Sequence, residues 1–258
     1  MMGVLEDQVI IVTGAASGIG MATAIAALRE GARVFGVDIA PQPATLKENN
    51  KFRYAQCDLA VESSIDSVVS NCLEVFEGRI DALFNIAGVM DHHGSVDTVT
   101  DSDWDRCIAI NLTAPLKLMR AVIPTMRAHK RGNIINMSSR AGVSGAAAGV
   151  AYTASKHGLI GLSKNVAWRF KGDNIRCNVV CPGGVATGII SNMDPSQFDH
   201  EALDTIKPIL GAVYSNRPEG YTQMLPEEVA ETVIFLASDQ SARINGAVLP
   251  VDDAWSTI

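Results

Sequence analysis

Residues 8–38 read QVIIVTGAASGIGMATAIAALREGARVFGVD, and the order of residue types along them sets the fold. Gln8 to Thr13 is a short, apolar, β-branched run of the kind that forms a buried strand. The turn Gly14-Ala15-Ala16-Ser17-Gly18-Ile19-Gly20 comes next, then an alanine-rich helical segment to Glu30 that Gly31 stops. A second run, Arg33 to Val37, ends on Asp38. Strand, glycine turn, helix, strand and acid in this order make a βαβ unit with the layout of a dinucleotide site. Glycines there let the backbone turn tightly and approach a diphosphate with no Cβ in the way. The helix behind them aims free N–H groups and its positive dipole end at the phosphates. A ligand-free turn, or a loop for S-adenosylmethionine, would carry the same glycines. Strand, helix and terminal acid together favour the dinucleotide. Asp38 can accept hydrogen bonds from both ribose hydroxyls of NAD and would repel a 2′-phosphate, so NAD is expected over NADP.

Outward from this unit the pattern repeats. Phe52 to Cys57 reads as a strand ending at Asp58, followed by a helix from about Val61 to Phe76. Asp81 to Ile86 is another buried strand, ending at Ala87-Gly88. A helical region covers Asp101 to Lys130, with Pro115 and Pro124 expected to bend it or mark turns. Asn133 to Met137 is a strand ending in Ser138-Ser139, and a helix carrying Tyr152 and Lys156 runs to about Lys171. Asn174 to Cys181 is a strand stopped by Pro182-Gly183-Gly184. An irregular stretch comes after it, then a helix from Pro226 to Ala237 and a last strand, Ala247 to Val251. Seven strands alternating with helices predict one Rossmann-type α/β domain over residues 1–258, a doubly wound parallel sheet. Ligands of such sheets bind beyond the carboxyl ends of the strands, which gathers the candidate residues along one edge.

Composition narrows the function classes. An apolar fraction of 47% suits a filled core, and a net charge of −7 with no dense Lys/Arg cluster argues against nucleic acid or an acidic membrane. His129-Lys130-Arg131 reads as a solvated helix end. No run approaches the ~20 apolar residues of a membrane span, and the N-terminus lacks the basic-then-apolar order of a secretory signal. Five cysteines, odd in number and without metal-ligand spacing, fit free thiols in a reducing compartment. A cytoplasmic protein without a metal site is expected.

Tyr152-Thr153-Ala154-Ser155-Lys156 places a tyrosine and a lysine one helical turn apart on the same face. A cation beside a phenol favours the phenolate, so the pair could exchange a proton with an alcohol or ketone. Alone the spacing is commonplace on exposed helices. Its company makes it specific. With Thr13 to Gly20, Asn85-Ile86-Ala87-Gly88, Asn111, Ser139, Pro182-Gly183 and Val185-Ala186-Thr187, in that order, the chain resembles a classical short-chain dehydrogenase/reductase over essentially its whole length. The thirteen residues from Ser139 to Tyr152 fit that family too. Three departures stand out: Ile86 where a second Asn is frequent, Met137 where a β-branched residue is usual, and Val251-Asp252-Asp253-Ala254-Trp255 in place of an Asp-Gly-Gly ending.

By this resemblance Tyr152 is the general acid/base and Ser139 hydrogen-bonds the reacting oxygen. Lys156 binds the nicotinamide ribose and lowers the tyrosine pKa, and Asn111 holds a water of a proton relay. Gly14, Ser17, Gly18, Ile19, Gly20 and Asp38 would hold the phosphates and ribose. Asp58 and Leu59 resemble the adenine contact, and Asn85, Ala87 and Gly88 the wall beside the adenosine. Pro182, Gly183, Val185 and Thr187 resemble the nicotinamide contact. For Asn85, pinning neighbouring strands explains the residue equally well. The family also implies a homodimer or homotetramer, with the helices around Asn111 and Tyr152 as pairing faces.

The pocket is expected between residues 140–150 and a lid around 189–225. Gly142, Gly145, Ala146, Ala147, Ala148 and Gly149 would leave room near Tyr152. Ile189, Ile190, Met193, Phe198, Ile206, Leu210, Tyr214 and Met224 make the lid apolar, unless they only pack it onto the domain. A roomy apolar site suits a bulky lipophilic secondary alcohol, steroid-, terpenoid- or polyketide-like, oxidised to its ketone. Arg140 is expected in an outward salt bridge, and His92 and His93 on the surface. The alternatives are a carbonyl or ketoacyl-thioester reductase, or a non-catalytic NAD-binding scaffold. Sugar epimerases share Tyr-x-x-x-Lys but need a longer C-terminal region, and a methyltransferase leaves Ser139, Tyr152 and Lys156 unexplained.

Overall fold

The computed structural model describes residues 3–215 and 223–258. The apolar runs fold as β1 (Val9–Thr13), β2 (Arg33–Asp38), β3 (Phe52–Gln56), β4 (Ala82–Asn85), β5 (Gly132–Met137), β6 (Ile175–Pro182) and β7 (Val248–Val251). They form one sheet in the order β3-β2-β1-β4-β5-β6-β7, every pairing parallel. A parallel sheet is covered on both faces, which is why β1, β4 and β5 are buried at every position. Alternation divides β1 cleanly: Ile10 and Val12 enter the core on one face, Val9 and Ile11 the core on the other.

Helices α1 (Gly18–Arg29) and α2 (Glu62–Val75) come after the first and third strands. After β4 come α3 (Asp101–Ile108), a π-helical turn at Ala109–Thr113, and α4 (Ala114–His129). Next are α5 (Val150–Phe170), the short α6 (Gly188–Ser191), α7 (His200–Tyr214) and α8 (Pro226–Ala237). The first core lies between the sheet and α1 with α8, the second between the sheet and α2, α4 and the end of α5. Winding reverses between β1 and β4, and the crevice at their carboxyl ends is the expected ligand position. Thr13 stitches that point together: its hydroxyl accepts the N–H groups of Ile86 (3.0 Å) and Ala87 (3.1 Å).

Two expectations change here. The stretch after β6 is not irregular, because α7 occupies fifteen of its residues. Asp199 caps that helix by accepting the Ala202 N–H at 2.9 Å, a local signal at its start, although Pro208 lies inside it. Residues 216–222 of the expected lid lie outside the described residues. The second change concerns Asp101–His129, which as a continuous rod is long and apolar enough to cross a membrane. Its apolar side instead enters the second core through Ala114, Leu118, Met119, Val122 and Met126.

Candidate active site

The glycine turn is built as the phosphate chemistry demands. Gly14 (φ +74°) and Gly18 (φ +52°) are in the left-handed region that side chains avoid. A Cβ on Gly20 would run into the Gly14 carbonyl oxygen, so only glycine lets α1 begin this close to β1. Ser17 is the N-cap of α1 in extended conformation and makes no side-chain cap bond. The first-turn N–H groups are therefore aimed at the crevice without a capping side chain. Asp38 does more than end β2. Its carboxylate accepts the N–H groups of Ala16 and Ala40, both at 3.0 Å, which fixes the glycine turn to the strand end. Each oxygen keeps a lone pair for a further donor.

The far wall comes from β4 and β6. Gly88 lies where Asn111 and Lys156 converge, since a Cβ on it would be 3.3 Å from both Asn111 Oδ1 and Lys156 Nζ. After β6, Gly183 N–H bonds the Val251 carbonyl (3.0 Å), and Thr187 caps α6. The Thr187 methyl lies 3.1 Å from where a Gly18 Cβ would be, so the segments expected to hold the phosphates and the nicotinamide meet. Val185 pairs with Met224 across an isolated bridge. Asp58 turns the chain after β3 by accepting the Ala60 N–H at 2.8 Å, and Leu59 is buried in the second core. Asn85 takes the strand-pinning role that the sequence offered beside the adenosine wall: its amide donates to Asn136 Oδ1 at 2.8 Å, the residue is 2% exposed, and its side chain joins β4 to β5.

Ser139, Tyr152, Lys156 and Asn111 come together at the ends of β4 and β5. Ser139 opens a short 3-10 turn, its hydroxyl accepting the Ala141 N–H at 3.1 Å, and its side chain favours ionisation of the Tyr152 phenol. Lys156 Nζ donates to the Met137 carbonyl (2.9 Å) and lies 5.4 Å from the centre of the Tyr152 ring. Asn111 sits in the π turn with its side chain fully engaged. It accepts the Val89 N–H (2.9 Å) and donates to the Val89 carbonyl (2.8 Å) and Ser155 Oγ (3.1 Å). That leaves no side-chain donor for a relay water. Its main-chain carbonyl lacks the usual helical partner, because the residue four positions on is Pro115, which has no N–H.

Burial works against the lowered tyrosine pKa expected from the sequence. Burial pushes the Tyr152 phenol up to about 12, and the Ser139 hydrogen bond offsets only part of this. The same burial brings Lys156 itself down from 10.5 to about 8. The ammonium is turned to the Met137 carbonyl, and burial loosens its hold on its proton.

Arg140 is buried, with a guanidinium nitrogen on the Ile258 main-chain oxygen at 3.2 Å, and is not in an outward salt bridge. Nor are the histidines on the surface. His92 Nδ1 meets Asp103 at 2.7 Å, and His93 is 7% exposed with its ring edge-on to Phe198. The small residues near Tyr152 divide by role. Gly142 and Gly149 leave no open room, since their missing Cβ positions are taken by Ser138 and Asp91. Ala147 and Ala148 pack with Tyr152, Met90 and the lid's Met193 in an apolar cluster. Asp91, unremarked in the sequence, is fully buried against the first turn of α5.

A seven-stranded parallel sheet with its glycine turn at the switch point, beside a buried Ser-Tyr-Lys set, is the architecture of a dehydrogenase, and the short chain dehydrogenase family matches residues 8–197. The chain belongs to that family of oxidoreductases, which use nicotinamide cofactors and act on small molecules. It is 60% identical to short-chain dehydrogenase/reductase cdmF of Talaromyces verruculosus over 100% of both chains. With asnovolin H dehydrogenase nvfC of Aspergillus novofumigatus it shares 55% identity, again over 100% of both. The crystal structure of levodione reductase superimposes with a TM-score of 0.86 at 28% identity, covering 98% of each chain.

Proposed function

We propose that the protein is an NAD-dependent dehydrogenase that oxidises a bulky, lipophilic secondary alcohol of steroid, terpenoid or polyketide type to its ketone. The observation that carries this is the buried Tyr152 with Lys156 5.4 Å from its ring, at the edge of an apolar cluster and beside the Ser139 turn. The glycine turn fits a dinucleotide, since Cβ atoms at Gly14, Gly18 or Gly20 would fill the cradle or strain it. Asp38 favours NAD, because its carboxylate has lone pairs for ribose hydroxyls and opposes a 2′-phosphate. When bound, NAD+ supplies the hydride acceptor and a positive charge that favours the phenolate.

In this scheme Tyr152 takes the substrate's hydroxyl proton as the carbinol C–H bond gives up its hydride and the C=O bond forms. Ser139 donates to the oxygen where charge develops. Lys156 hydrogen-bonds the nicotinamide ribose, and the Asn111 carbonyl holds the water that passes the proton outward. On the substrate side, Met193 packs with Ala147, Ala148 and Tyr152, while Ile189 and Ile190 of α6 remain exposed at the rim. An apolar skeleton suits that lining. The likeness to a protein named asnovolin H dehydrogenase supports the oxidative direction.

A second reading, reduction of a carbonyl, is favoured by the burial of Tyr152, which disfavours the phenolate and so favours the form that gives a proton. We assign the protein to a reducing cytoplasm, consistent with five unpaired cysteines. Pairing as a homodimer or homotetramer would use α4 and α5, where Leu116 and Trp168 are exposed.

The test incubates the purified protein and a Tyr152→Phe variant with NAD+ or NADP+ and a panel of lipophilic secondary alcohols, reading reduced nicotinamide. NAD+-dependent turnover that the variant lacks is expected. Preference for NADPH with ketones would install the reductase instead. Equal activity in the variant would refute the mechanism, and tight NAD+ binding with no turnover on any substrate would leave a scaffold.

A further inference from the structure

A helix begins with N–H groups that have no partner within it. At the start of α5, which carries Tyr152 and Lys156, the N-cap residue is Gly149, and it has no side chain to meet them. A carboxylate from the loop after β4 takes that place. Asp91 Oδ2 accepts the Tyr152 N–H at 2.9 Å, and Oδ1 accepts the Gly149 N–H at 3.2 Å and the His93 N–H at 3.3 Å. The side chain is 0% exposed, so these contacts and the positive end of α5 compensate its charge. The fit leaves no slack. A Cβ on Gly149 would lie 2.5 Å from both carboxylate oxygens.

The same loop reaches in the other direction. The His92 carbonyl accepts the Asp199 N–H at 2.9 Å where α7 begins. The His93 ring, on a residue with φ +65°, lies edge-on to Phe198 at 5.6 Å between centroids. The loop that holds the helix of Tyr152 therefore also seats the entry of α7.

We propose that Asp91 is a positioning residue for the reaction: it anchors the Tyr152 main chain to the loop after β4, so that the phenol stays beside Ser139 and Lys156. This rests on Tyr152 being the acid/base. Asp91 also acts on the phenol through space, because its negative charge opposes formation of the phenolate. The other groups facing the phenol are Ser139 from the turn after β5, Cys107 from α3, Cys181 from β6 and Lys156 from α5. Facing Asp91 are His93 from its own loop and Cys107. Removing the charge lowers the phenol's pKa, so the limb of the pH–rate profile that reports it moves to lower pH in either reaction direction.

Asp91→Ala, Asp91→Asn and Tyr152→Phe are compared with the parent protein, using NAD+ and the best alcohol of the panel. In Asp91→Ala, kcat is expected to fall about 10- to 100-fold, because misplacement of a reacting group by about 1 Å has that effect. The KM for NAD+ should change less than kcat, since the phosphate cradle is a separate segment and α5 reaches the cofactor only through Lys156. On the protein alone, amide exchange should accelerate at residues 149–155 and not in α1. Asp91→Asn keeps one acceptor oxygen, so its kcat should fall between the parent's and the alanine variant's, with the pH limb moved to lower pH. It also carries the test if the alanine variant does not fold. Activity in Tyr152→Phe would overturn the acid/base reading beneath the proposal. An inactive Tyr152→Phe beside Asp91 variants with parental kcat and pH limb would overturn the proposal alone. So would a loss in Asp91→Ala spread equally over kcat, cofactor KM and exchange in every helix, with no limb shift in Asp91→Asn.

Discussion

Replacing Lys156 by Met should stabilise the protein near neutrality relative to its effect at alkaline pH, and the size of that difference is set by burial. Lys156 is 2% exposed, and its pKa falls from 10.5 in the open chain to about 8 in the fold because desolvation disfavours the charged form. Between those two values the unfolded chain binds a proton that the native protein has released, so native stability rises with pH across that window. Below pH 8 both states are charged and the full penalty applies. Above 10.5 both are neutral and it is gone. The gap of about 2.5 units between the two values corresponds to about 3 kcal/mol, most of it recovered by pH 10. Methionine has nearly the same length, fills the space, and has nothing to titrate. It also leaves the Met137 carbonyl without its donor, but that loss does not vary with pH. The assay is urea unfolding of parent and variant at fixed protein concentration from pH 7 to pH 10. The stability of Lys156→Met minus that of the parent should drop by about 2–3 kcal/mol across this range. A difference that stays flat with pH would refute the reasoning, because it would mean the folded lysine titrates as it does in water. Such a cost in a fold that could hold methionine there argues that the lysine is present for chemistry.

Gly149→Ala would press a methyl onto the Asp91 carboxylate, which has nowhere to retreat. A loss of about 1–3 kcal/mol in thermal or urea unfolding is expected, against near-neutrality for the open Gly145→Ala. Asn136→Leu removes the partner of Asn85 and of Ser163 at the β4–β5 seam and should cost about 1–3 kcal/mol, read by the same unfolding. Asp38→Ala should erode discrimination between NAD+ and NADP+ by raising the KM for NAD+. An unchanged cofactor ratio would refute the ribose assignment. With a thiol reagent at pH 8, Cys72, Cys107, Cys177 and Cys181 should react slowly in the folded protein, since burial covers them and raises their pKa values. All five cysteines should react at once in denaturant.

The strand–glycine–helix–strand unit, the seven strands and the Tyr152–Lys156 spacing could be read from the sequence because each signal lies within a few residues of chain. A continuous apolar, β-branched run marks β1, close backbone approach calls for glycine at Gly14 and Gly20, and one helical turn sets tyrosine beside lysine. Even α7 had its capping acid in place at Asp199, though its apolar spacing was obscured by Pro208. What could not be read depends on residues distant in the chain. Asp91 sits in an unremarkable Met-Asp-His-His loop, and its partners are 58 and 61 positions away. For Asn85 the strand-pinning role was in view, but its partner Asn136, 51 positions on, was not. The buried Arg140 meets Ile258, 118 positions on. The charge states belong to this class as well. Sequence places a cation near a phenol and predicts a lowered pKa, but the dielectric around them is set by the whole packed core. There the loss of water outweighs the neighbour, raising tyrosine and lowering lysine. Local stereochemistry is written in the order of residues, whereas solvation and long-range hydrogen bonding exist only once the chain has closed around them.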